Sequence, residues 1–165
     1  RIGIKFGDRN CSHWLDLNEL HLAMAKAGLL TRWTPASEIN SQNDLTQFGY
    51  AKDYDAVLTV ESEGREMRFG LEYERTPKTC RAYHQIASKL DGEMLVDTVL
   101  YLVPNYHVLC MIRDCVTPRQ VRVCVALYAD FMKTFLSTPV MIAGTNQRDI
   151  SFQAVLTQAS QARGR

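Results

Sequence analysis

Three acidic residues lie in two neighbouring stretches of apparent β-strand near the middle of the chain. Glu72 and Glu74 are two positions apart in GLEYERT, and Asp55 stands where the apolar run AVLTV begins. Acids two positions apart in a strand share one face of the sheet. Because like charges that face one another destabilise a sheet, the cluster is expected to be offset by a cation. Mg²⁺ or Mn²⁺ takes such oxygen ligands and can activate a water for attack on a phosphodiester.

The turn between the two strands decides how the acids face one another. ESEG, which joins AVLTV to REMRFGLEYE, is a hairpin signal that ends in glycine. If Glu63 and Gly64 are the central turn residues, Asp55 lies directly opposite Glu72. A four-residue loop pairs Asp53 with Glu72 instead and leaves Asp55 one diagonal away. Both registers predict that the acids gather on one face of the hairpin, while the other face of the second strand goes to the core.

A competing interpretation treats the same acids as ordinary surface charges. Glu74 and Arg75 come directly before Thr-Pro, so they can be the polar end of a strand. Asp55 can be a turn acid after Tyr54. The sequence alone leaves this interpretation open beside that of a cation site.

A helix that carries basic residues is predicted directly after these strands. TPKTCRAYHQIASKL has Pro77 where it suits a first turn, and its buried stripe ends at Leu90. Arg81 and Lys89 fall together on another side of this helix. We expect these two cations to hold a phosphate or to stabilise charge that develops on it.

The elements that position these residues alternate between helix and strand. SHWLDLNELHLAMAKAG predicts an amphipathic helix, LLTRWT a short first strand, and residues 36–53 a polar loop. After the hairpin and the basic helix come an apolar strand, TVLYLVP, a helix, YHVLCMIRDC, and a further strand, VRVCVALYA. This order predicts an α/β sandwich with a mixed sheet and one right-handed crossover. We expect one domain over residues 1–150 and a C-terminal tail over residues 151–165.

Composition indicates a globular protein and leaves its partners open. The 165 residues are 46% apolar and 22% charged, and no apolar run is long enough to span a membrane. A net charge of +1 is no signal for nucleic acid, so such a role must rest on where the charges lie. Five cysteines without a CxxC pair favour reduced thiols in a cytoplasm over a disulfide framework or a zinc site. The first residue is Arg1, so we expect a region that precedes it.

One series of motifs resembles a known superfamily. YDAVLTV, FGLEYERT, RAYHQIASKL and TVLYLVP, in this order, resemble the PD-(D/E)xK nucleases. Those proteins have an acid before one strand, an acid-x-acid or acid-x-Lys triplet on the next, and then a helix and a buried strand. Over roughly residues 12–128 the chain is most similar to the replication-relaxation group, which includes the MobC-type relaxases of mobilisable plasmids. The resemblance implies a restriction-endonuclease-like sandwich with a mixed central sheet flanked by helices, and a winged-helix DNA-binding region before this domain.

The resemblance also implies roles for the acids. Asp55 and Glu72 match metal ligands of Mg²⁺ or Mn²⁺, and Glu74 joins them at the position where most members have lysine. That departure removes the usual activating lysine, which Lys89 or Lys78 can replace from the helix.

Further candidate residues lie outside this triplet. Glu19 matches the acid that many members place on the first helix, although a surface glutamate is the alternative. His13, at the start of that helix, can contact DNA or cap and pack the helix. The expected DNA contacts are Arg81, Lys78, His13 and Arg75.

Three hypotheses for function follow. The first is a metal-dependent DNA endonuclease or nickase, similar to a mobilisation relaxase that nicks one strand at a plasmid transfer origin, with other mobilisation or replication proteins as partners. The second is an inactive nuclease-fold protein that binds DNA or a replication or transfer complex, which the glutamate at the lysine position favours. The third is a protein-interaction domain without nucleic acid, which the near-zero net charge favours. The sequence contains neither a P-loop nor a G-x-S-x-G motif.

Overall fold

Helices and strands alternate along the chain in the computed structural model, which describes residues 8–62, 64–147 and 150–163. The helices are α1 (Asp8–Lys26), α2 (Ala36–Leu45), α3 (Cys80–Leu90), α4 (Tyr106–Cys115), α5 (Tyr128–Thr134) and α6 (Phe152–Arg163), with a 3₁₀ turn at Phe135–Ser137. The strands are β1 (Arg32–Pro35), β2 (Ala56–Ser62), β3 (Arg65–Tyr73), β4 (Thr98–Val103), β5 (Arg122–Leu127), β6 (Pro139–Ile142) and β7 (Ile150–Ser151).

The seven strands of the described ranges form a mixed sheet in which spatial order follows chain order, from β1 to β7. β1, β2 and β3 are an antiparallel meander, β3, β4 and β5 run parallel, and β6 and β7 pair antiparallel at the far edge. Parallel neighbours need a crossover, and α3 and α4 supply two of them where the sequence pattern predicts one. Helices cover both faces of the sheet, so the α/β sandwich with a mixed sheet is confirmed.

Each face of the sheet has its own hydrophobic core. We call the layer that packs against α1 and α6 the first core; Leu20, Phe69 and Phe152 are fully buried in it. We call the layer that packs against α2, α3 and α4 the second core; it contains Tyr54 and Tyr101. β4 is buried on both faces because it lies between the two cores, which explains its uninterrupted apolar sequence. The face of β3 that carries Glu72 is thus polar and exposed at Glu66 and Arg68, as the alternation predicts, but at Gly70 it is covered by Tyr54 of the second core.

Two boundaries differ from those that the sequence pattern predicts. The polar segment after β1 is not only a loop, because Ala36–Leu45 form α2, whose single buried side chain, Ile39, anchors it to the second core. α3 begins at Cys80 and leaves Pro77 outside the helix. Thr79 caps α3 by accepting the Ala82 N–H at 3.3 Å, which satisfies a backbone donor that a helix start otherwise leaves free.

The C-terminal segment packs into the domain. Ser151 belongs to β7, and the residues after it form α6. Phe152, Val155 and Leu156 are fully buried in the first core, at the i, i+3, i+4 spacing of a helical stripe. Residues 151–163, predicted as a tail, are thus an integral layer of the sandwich.

A disulfide links the two crossover helices. Cys80, the first residue of α3, is bonded to Cys115, the last residue of α4, with 5.6 Å between the Cα atoms. The expectation of reduced thiols is therefore wrong for this pair. The other three cysteines, Cys11, Cys110 and Cys124, are free. The pairing depends on α3 and α4 lying side by side, a relationship that the sequence separation of 35 residues does not reveal.

Candidate active site

The three acids meet where β3 ends and β2 begins. Ser62 pairs with Arg65 across the hairpin and Ala56 pairs with Leu71, so the two-residue turn is confirmed and Asp55 lies directly opposite Glu72. Gly64 adopts a φ of +73°, the left-handed conformation that such a tight turn requires and that glycine adopts without strain.

A cleft of about 500 Å³ opens at this point. It lies between α1, the start of β2 and the loop of residues 74–79 that leads from β3 to α3. In open α/β sheets, ligands bind outside the carboxyl ends of the parallel strands, and β3 ends here. The residues that line the cleft are His13, Asp55, Glu72, Tyr73, Glu74, Arg75, Thr76 and Lys78.

A larger cavity of about 620 Å³ lies near the end of β5. Its lining is mostly apolar, and its only charged members are Asp130 and Lys133. The smaller cleft is the better candidate for an active site because three acids and three basic side chains line it, against one of each in the larger cavity.

Asp55 is held in place by both of its oxygens. Oδ1 lies 3.1 Å from His13 Nε2 on α1, and Oδ2 accepts the backbone N–H of Tyr73 at 2.7 Å. The imidazole of His13 also stacks on the Tyr73 ring at 5.5 Å between centroids. The hydrogen bond to Asp55 raises the pKa of His13 above its ordinary value and outweighs the opposing effect of burial. The Asp55 carboxylate therefore favours the protonated form of His13 at the rim of the cleft.

Glu72 is largely buried, as Glu74 is, whereas Asp55 is more exposed. The Glu72 side chain is 13% exposed, and Oε2 lies 2.6 Å from Lys52 Nζ. The other oxygen, Oε1, is buried and has no hydrogen-bond partner among the described residues. Burial raises the pKa of Glu72 to about 7, although the positive charge of Lys52 opposes that rise. As a carboxylate, Glu72 therefore leaves one oxygen that a further cation can satisfy.

Glu74 is compensated by its own neighbour. Its carboxylate pairs with the ammonium group of Lys78 in the same loop, and its backbone N–H donates to the Leu102 carbonyl of β4 at 3.0 Å. Each acid thus has a basic partner within the chain: His13 for Asp55, Lys52 for Glu72 and Lys78 for Glu74. The mutual repulsion that the sequence pattern predicts is offset in part without any bound ion.

A buried carboxylate positions the segment that carries Lys52 and Asp55. Glu93 is 1% exposed and accepts three hydrogen bonds, from the Tyr54 hydroxyl at 2.7 Å and from the backbone N–H groups of Ala51 at 3.1 Å and Leu95 at 2.7 Å. These bonds fix residues 51–54 directly before Asp55.

The Tyr54 ring lies against Gly70 in the middle of β3. A Cβ atom at position 70 would stand 2.7 Å from Tyr54 Cε1, closer than side chains pack. The glycine in FGLEYE therefore permits this approach, which brings the aromatic ring under the hairpin beside Glu72.

The donor set fits a hard divalent cation held by one or two carboxylates and water. Carboxylate oxygens suit Mg²⁺ and Mn²⁺, and the orphaned Oε1 of Glu72 supplies a buried acceptor beside Asp55. The three acids do not form a closed cage. One group of described His, Cys, Asp and Glu residues has all its ligand atoms within 4.8 Å of one another. It consists of Cys80, His84 and Cys115 and includes none of the three acids.

Some of the other predicted site residues reach the cleft and some do not. His13, Arg75 and Lys78 line it. Glu19, Arg81 and Lys89 are exposed and lie outside its lining. Because an α-helix rises about 1.5 Å per residue, Lys89 lies about 13 Å along α3 from the helix start that faces the cleft.

Lys52 and Glu93 are the site residues that the sequence pattern does not reveal. Lys52 stands three positions before Asp55 in AKDYDAV, and that proximity is the one available signal. Glu93, in DGEML, resembles an ordinary turn acid. Burial, and then the charge of Asp16 on α1, raise the pKa of Tyr73 to about 12, so the acid of α1 that acts on this region is Asp16 rather than Glu19.

Comparisons with protein-family models, with curated proteins and with solved structures give no match for this chain. What the coordinates define is an α/β sandwich with an acidic cleft at the carboxyl end of a central strand. No helix in the described part of the chain has both the length and the apolar character needed to cross a membrane.

Proposed function

We propose that this chain is a divalent-metal-dependent phosphodiesterase that acts on DNA. The observation that carries the proposal is the buried Glu72 carboxylate, which lies opposite Asp55. One of its oxygens is paired to Lys52, and the other has no partner in the described part of the chain. A buried acid of this kind is costly unless it has a use or a counter-ion.

The order of elements agrees with the resemblance to PD-(D/E)xK nucleases. Asp55 precedes β2, Glu72-Tyr73-Glu74 ends β3 and begins the next loop, α3 follows, and β4 is buried throughout. This agreement supports a restriction-endonuclease-like arrangement of the sandwich and, more specifically, a relaxase that nicks one strand at a plasmid transfer origin. Partners would then be DNA and other mobilisation or replication proteins, and the site of action would be the cytoplasm.

The cation would be held by Asp55 and Glu72, with Glu74 as a further carboxylate of the cleft. When bound, Mg²⁺ or Mn²⁺ supplies Lewis-acid stabilisation of a phosphate oxygen and lowers the pKa of a water. The chain's own residues prepare this site. Lys52 favours the ionised form of Glu72, and His13 together with the Tyr73 N–H orients Asp55.

Two cations of the loop after β3 are the best candidates for contact with a phosphate. Arg75 and Lys78 line the cleft and are exposed. Arg75 donates a hydrogen bond to Ser12 of α1, and Lys78 pairs with Glu74. Arg75 and Lys78 thus take the role of holding the phosphate, which the sequence pattern assigns to Arg81 and Lys89. Lys52 replaces the missing lysine of the triplet only in part, because it lies behind Glu72 and outside the lining.

A plasmid assay tests this proposal. Supercoiled plasmid that carries a candidate transfer origin is incubated with the protein and Mg²⁺, Mn²⁺ or EDTA. We expect open circles that require metal and that disappear with Glu72→Gln. Glu66→Gln is the matched control, because Glu66 lies on the same strand with an exposed side chain. Intact supercoils with a folded wild-type protein, or nicking that persists in EDTA, would contradict the proposal.

The second candidate function is a nuclease-fold protein that binds DNA without cutting it. One observation favours it: every acid of the cleft already has a basic partner, and Glu74 occupies the position of the activating lysine. Such a protein would bind DNA without metal, and Asp55→Ala would leave its affinity unchanged. Its affinity would fall with rising salt, and Arg75→Ala would lower the magnitude of that slope by about one unit.

A further inference from the structure

A second group of metal-ligating side chains lies away from the acidic cleft, where α3 and α4 meet. Cys80 and His84 are one helical turn apart on α3, and His84 Nε2 lies 3.6 Å from Cys80 Sγ. Cys115 ends α4 and is bonded to Cys80. The ligand atoms of all three residues lie within 4.8 Å of one another.

These positions suit a tetrahedral site for a thiophilic metal. Thiolate and imidazole ligands select Zn²⁺, with Zn–S near 2.3 Å and Zn–N near 2.0–2.1 Å, so two ligand atoms of one tetrahedron lie about 3.5–3.8 Å apart. His84 Nε2 and Cys80 Sγ already have that separation, at 3.6 Å. Once the disulfide is reduced, rotation of the two cysteine side chains is the remaining change that is needed.

We propose that the reduced form of this chain binds one Zn²⁺ through Cys80, His84 and Cys115, with water at the fourth position. A dithiol reductant first transfers two electrons and two protons to the Cys80–Cys115 bond and itself becomes a disulfide. Zn²⁺ then displaces the two thiol protons to solvent and binds both thiolates and the imidazole. Reoxidation by a disulfide compound reverses these steps and releases the metal.

The surroundings of the group favour this exchange. Cys80 and His84 are exposed, so reductant and metal can reach them, while Cys115 is 8% exposed and fixed by the end of α4. Both states join the start of α3 to the end of α4. The reduced, metal-free state loses that link, and the loop of residues 74–79, which lines the acidic cleft directly before α3, then loses one of its supports.

Metal titration of the whole chain tests the inference. The protein is reduced, stripped of metal with a chelator, and titrated with Zn²⁺ against a chromophoric competitor and with Co²⁺ as a spectroscopic probe. We expect one Zn²⁺ per reduced chain and, with Co²⁺, a thiolate charge-transfer band together with tetrahedral d–d bands. The oxidised chain should show no thiolate charge-transfer band and should not compete with the chromophore for Zn²⁺ through these residues.

Variants identify the ligands. Cys115→Ser and Cys80→Ser should each abolish the charge-transfer band or halve it, and His84→Ala should weaken Zn²⁺ binding about tenfold or more because one of three protein ligands is lost. Cys110→Ser, on the same helix as Cys115, should bind Zn²⁺ like the wild type. Circular dichroism checks that each variant folds. If Cys115→Ser does not fold, the test rests on Cys80→Ser. Reduced wild-type protein without Zn²⁺ affinity, or equal affinity after Cys80→Ser, would overturn the inference.

The outcome is separable from that of the proposed nuclease function. Zn²⁺ binding at the thiols should be unchanged by Glu72→Gln, because hard carboxylates and soft thiolates form two different sites. Failure of either proposal therefore leaves the other standing.

Discussion

Glu72 Oε2 lies 2.6 Å from Lys52 Nζ, and both side chains are nearly buried, at 13% and 14% exposure. Two opposite charges removed from water stabilise one another only when their remaining hydrogen-bonding atoms are also satisfied. Here Glu72 Oε1 is not satisfied by any described residue. The pair is therefore suited to a third participant that satisfies this oxygen, such as a bound cation.

Removal of the Lys52 charge should weaken metal binding at neutral pH. Lys52→Met deletes a positive charge that holds the pKa of Glu72 down, so that pKa rises further above 7 and protons compete more strongly with the metal. The pH at which half of the protein binds Mn²⁺ should therefore increase, as calorimetric titrations over a pH series measure. Lys89→Met, an exposed lysine on α3, is the control and should leave that pH unchanged. Equal shifts for both variants would contradict the role of Lys52.

The buried Glu72 should make the folded protein less stable as pH rises. The unfolded chain releases this proton near pH 4.5, and the folded chain near pH 7. Between these values the unfolded state binds fewer protons than the folded state, so the free energy of unfolding falls with rising pH. One pKa unit corresponds to about 1.4 kcal/mol, so the contribution of Glu72 reaches about 3 kcal/mol at most.

Urea unfolding of Glu72→Gln measures this contribution. The variant should be more stable relative to wild type at pH 8 than at pH 5, because glutamine carries no charge to bury. Glu66→Gln should show no such difference, since Glu66 is exposed on the same strand. A wild-type pH dependence that Glu72→Gln leaves unaltered would show that folding does not raise the pKa of Glu72.

His13 should titrate above its ordinary pKa, and Asp55 should be the reason. The hydrogen bond to Asp55 is the largest of the effects that raise this pKa, so Asp55→Asn should lower it, as NMR titration of the imidazole protons would record. Because the folded pKa is raised, the stabilisation by this pair is complete at low pH and is lost as pH rises through the folded pKa. Asp44→Asn, an exposed acid of α2, should leave the titration of His13 unchanged.

Glu93 should stabilise the fold and the cleft together. Glu93→Ala leaves the Tyr54 hydroxyl and two backbone N–H groups without their acceptor, which should cost about 3 kcal/mol in the free energy of unfolding. Thermal and urea unfolding measure the loss. Glu61→Ala, at an exposed position of β2, should change stability by less than about 0.5 kcal/mol. A similar cost for both variants would mean that Glu93 does not anchor the segment before Asp55.

Local patterns were sufficient for most of the fold. ESEG predicts the hairpin but allows two registers, and the structure has the one with the two-residue turn, which sets Asp55 opposite Glu72. The apolar β4 and the amphipathic α4 likewise follow from composition and spacing. α2 was missed because its single buried residue, Ile39, makes a weak periodic signal.

The partners of the acids could not be read in the same way. Lys52 reaches Glu72, and Cys80 reaches Cys115, only because separate elements are packed together in three dimensions. Lys89 looked equally suitable on a helical wheel, since the wheel gives the side of a helix but not which end faces the cleft. Pairing of charges across elements thus depends on tertiary placement, which one sequence does not contain.

α6, at the C-terminal end of the described chain, packs into the same core as α1. The order in which the two cores can fold during synthesis follows from this placement. The buried residues of the second core lie between Ile39 and Val125, so this core can pack while later residues are still being synthesised. The first core must wait for Phe152, whose ring meets Phe69 edge-on at 4.9 Å. His13 belongs to α1, on that later layer, whereas Glu72 lies over the earlier one. We therefore expect the wall of the acidic cleft that carries His13 to reach its final packing after the wall that carries Glu72.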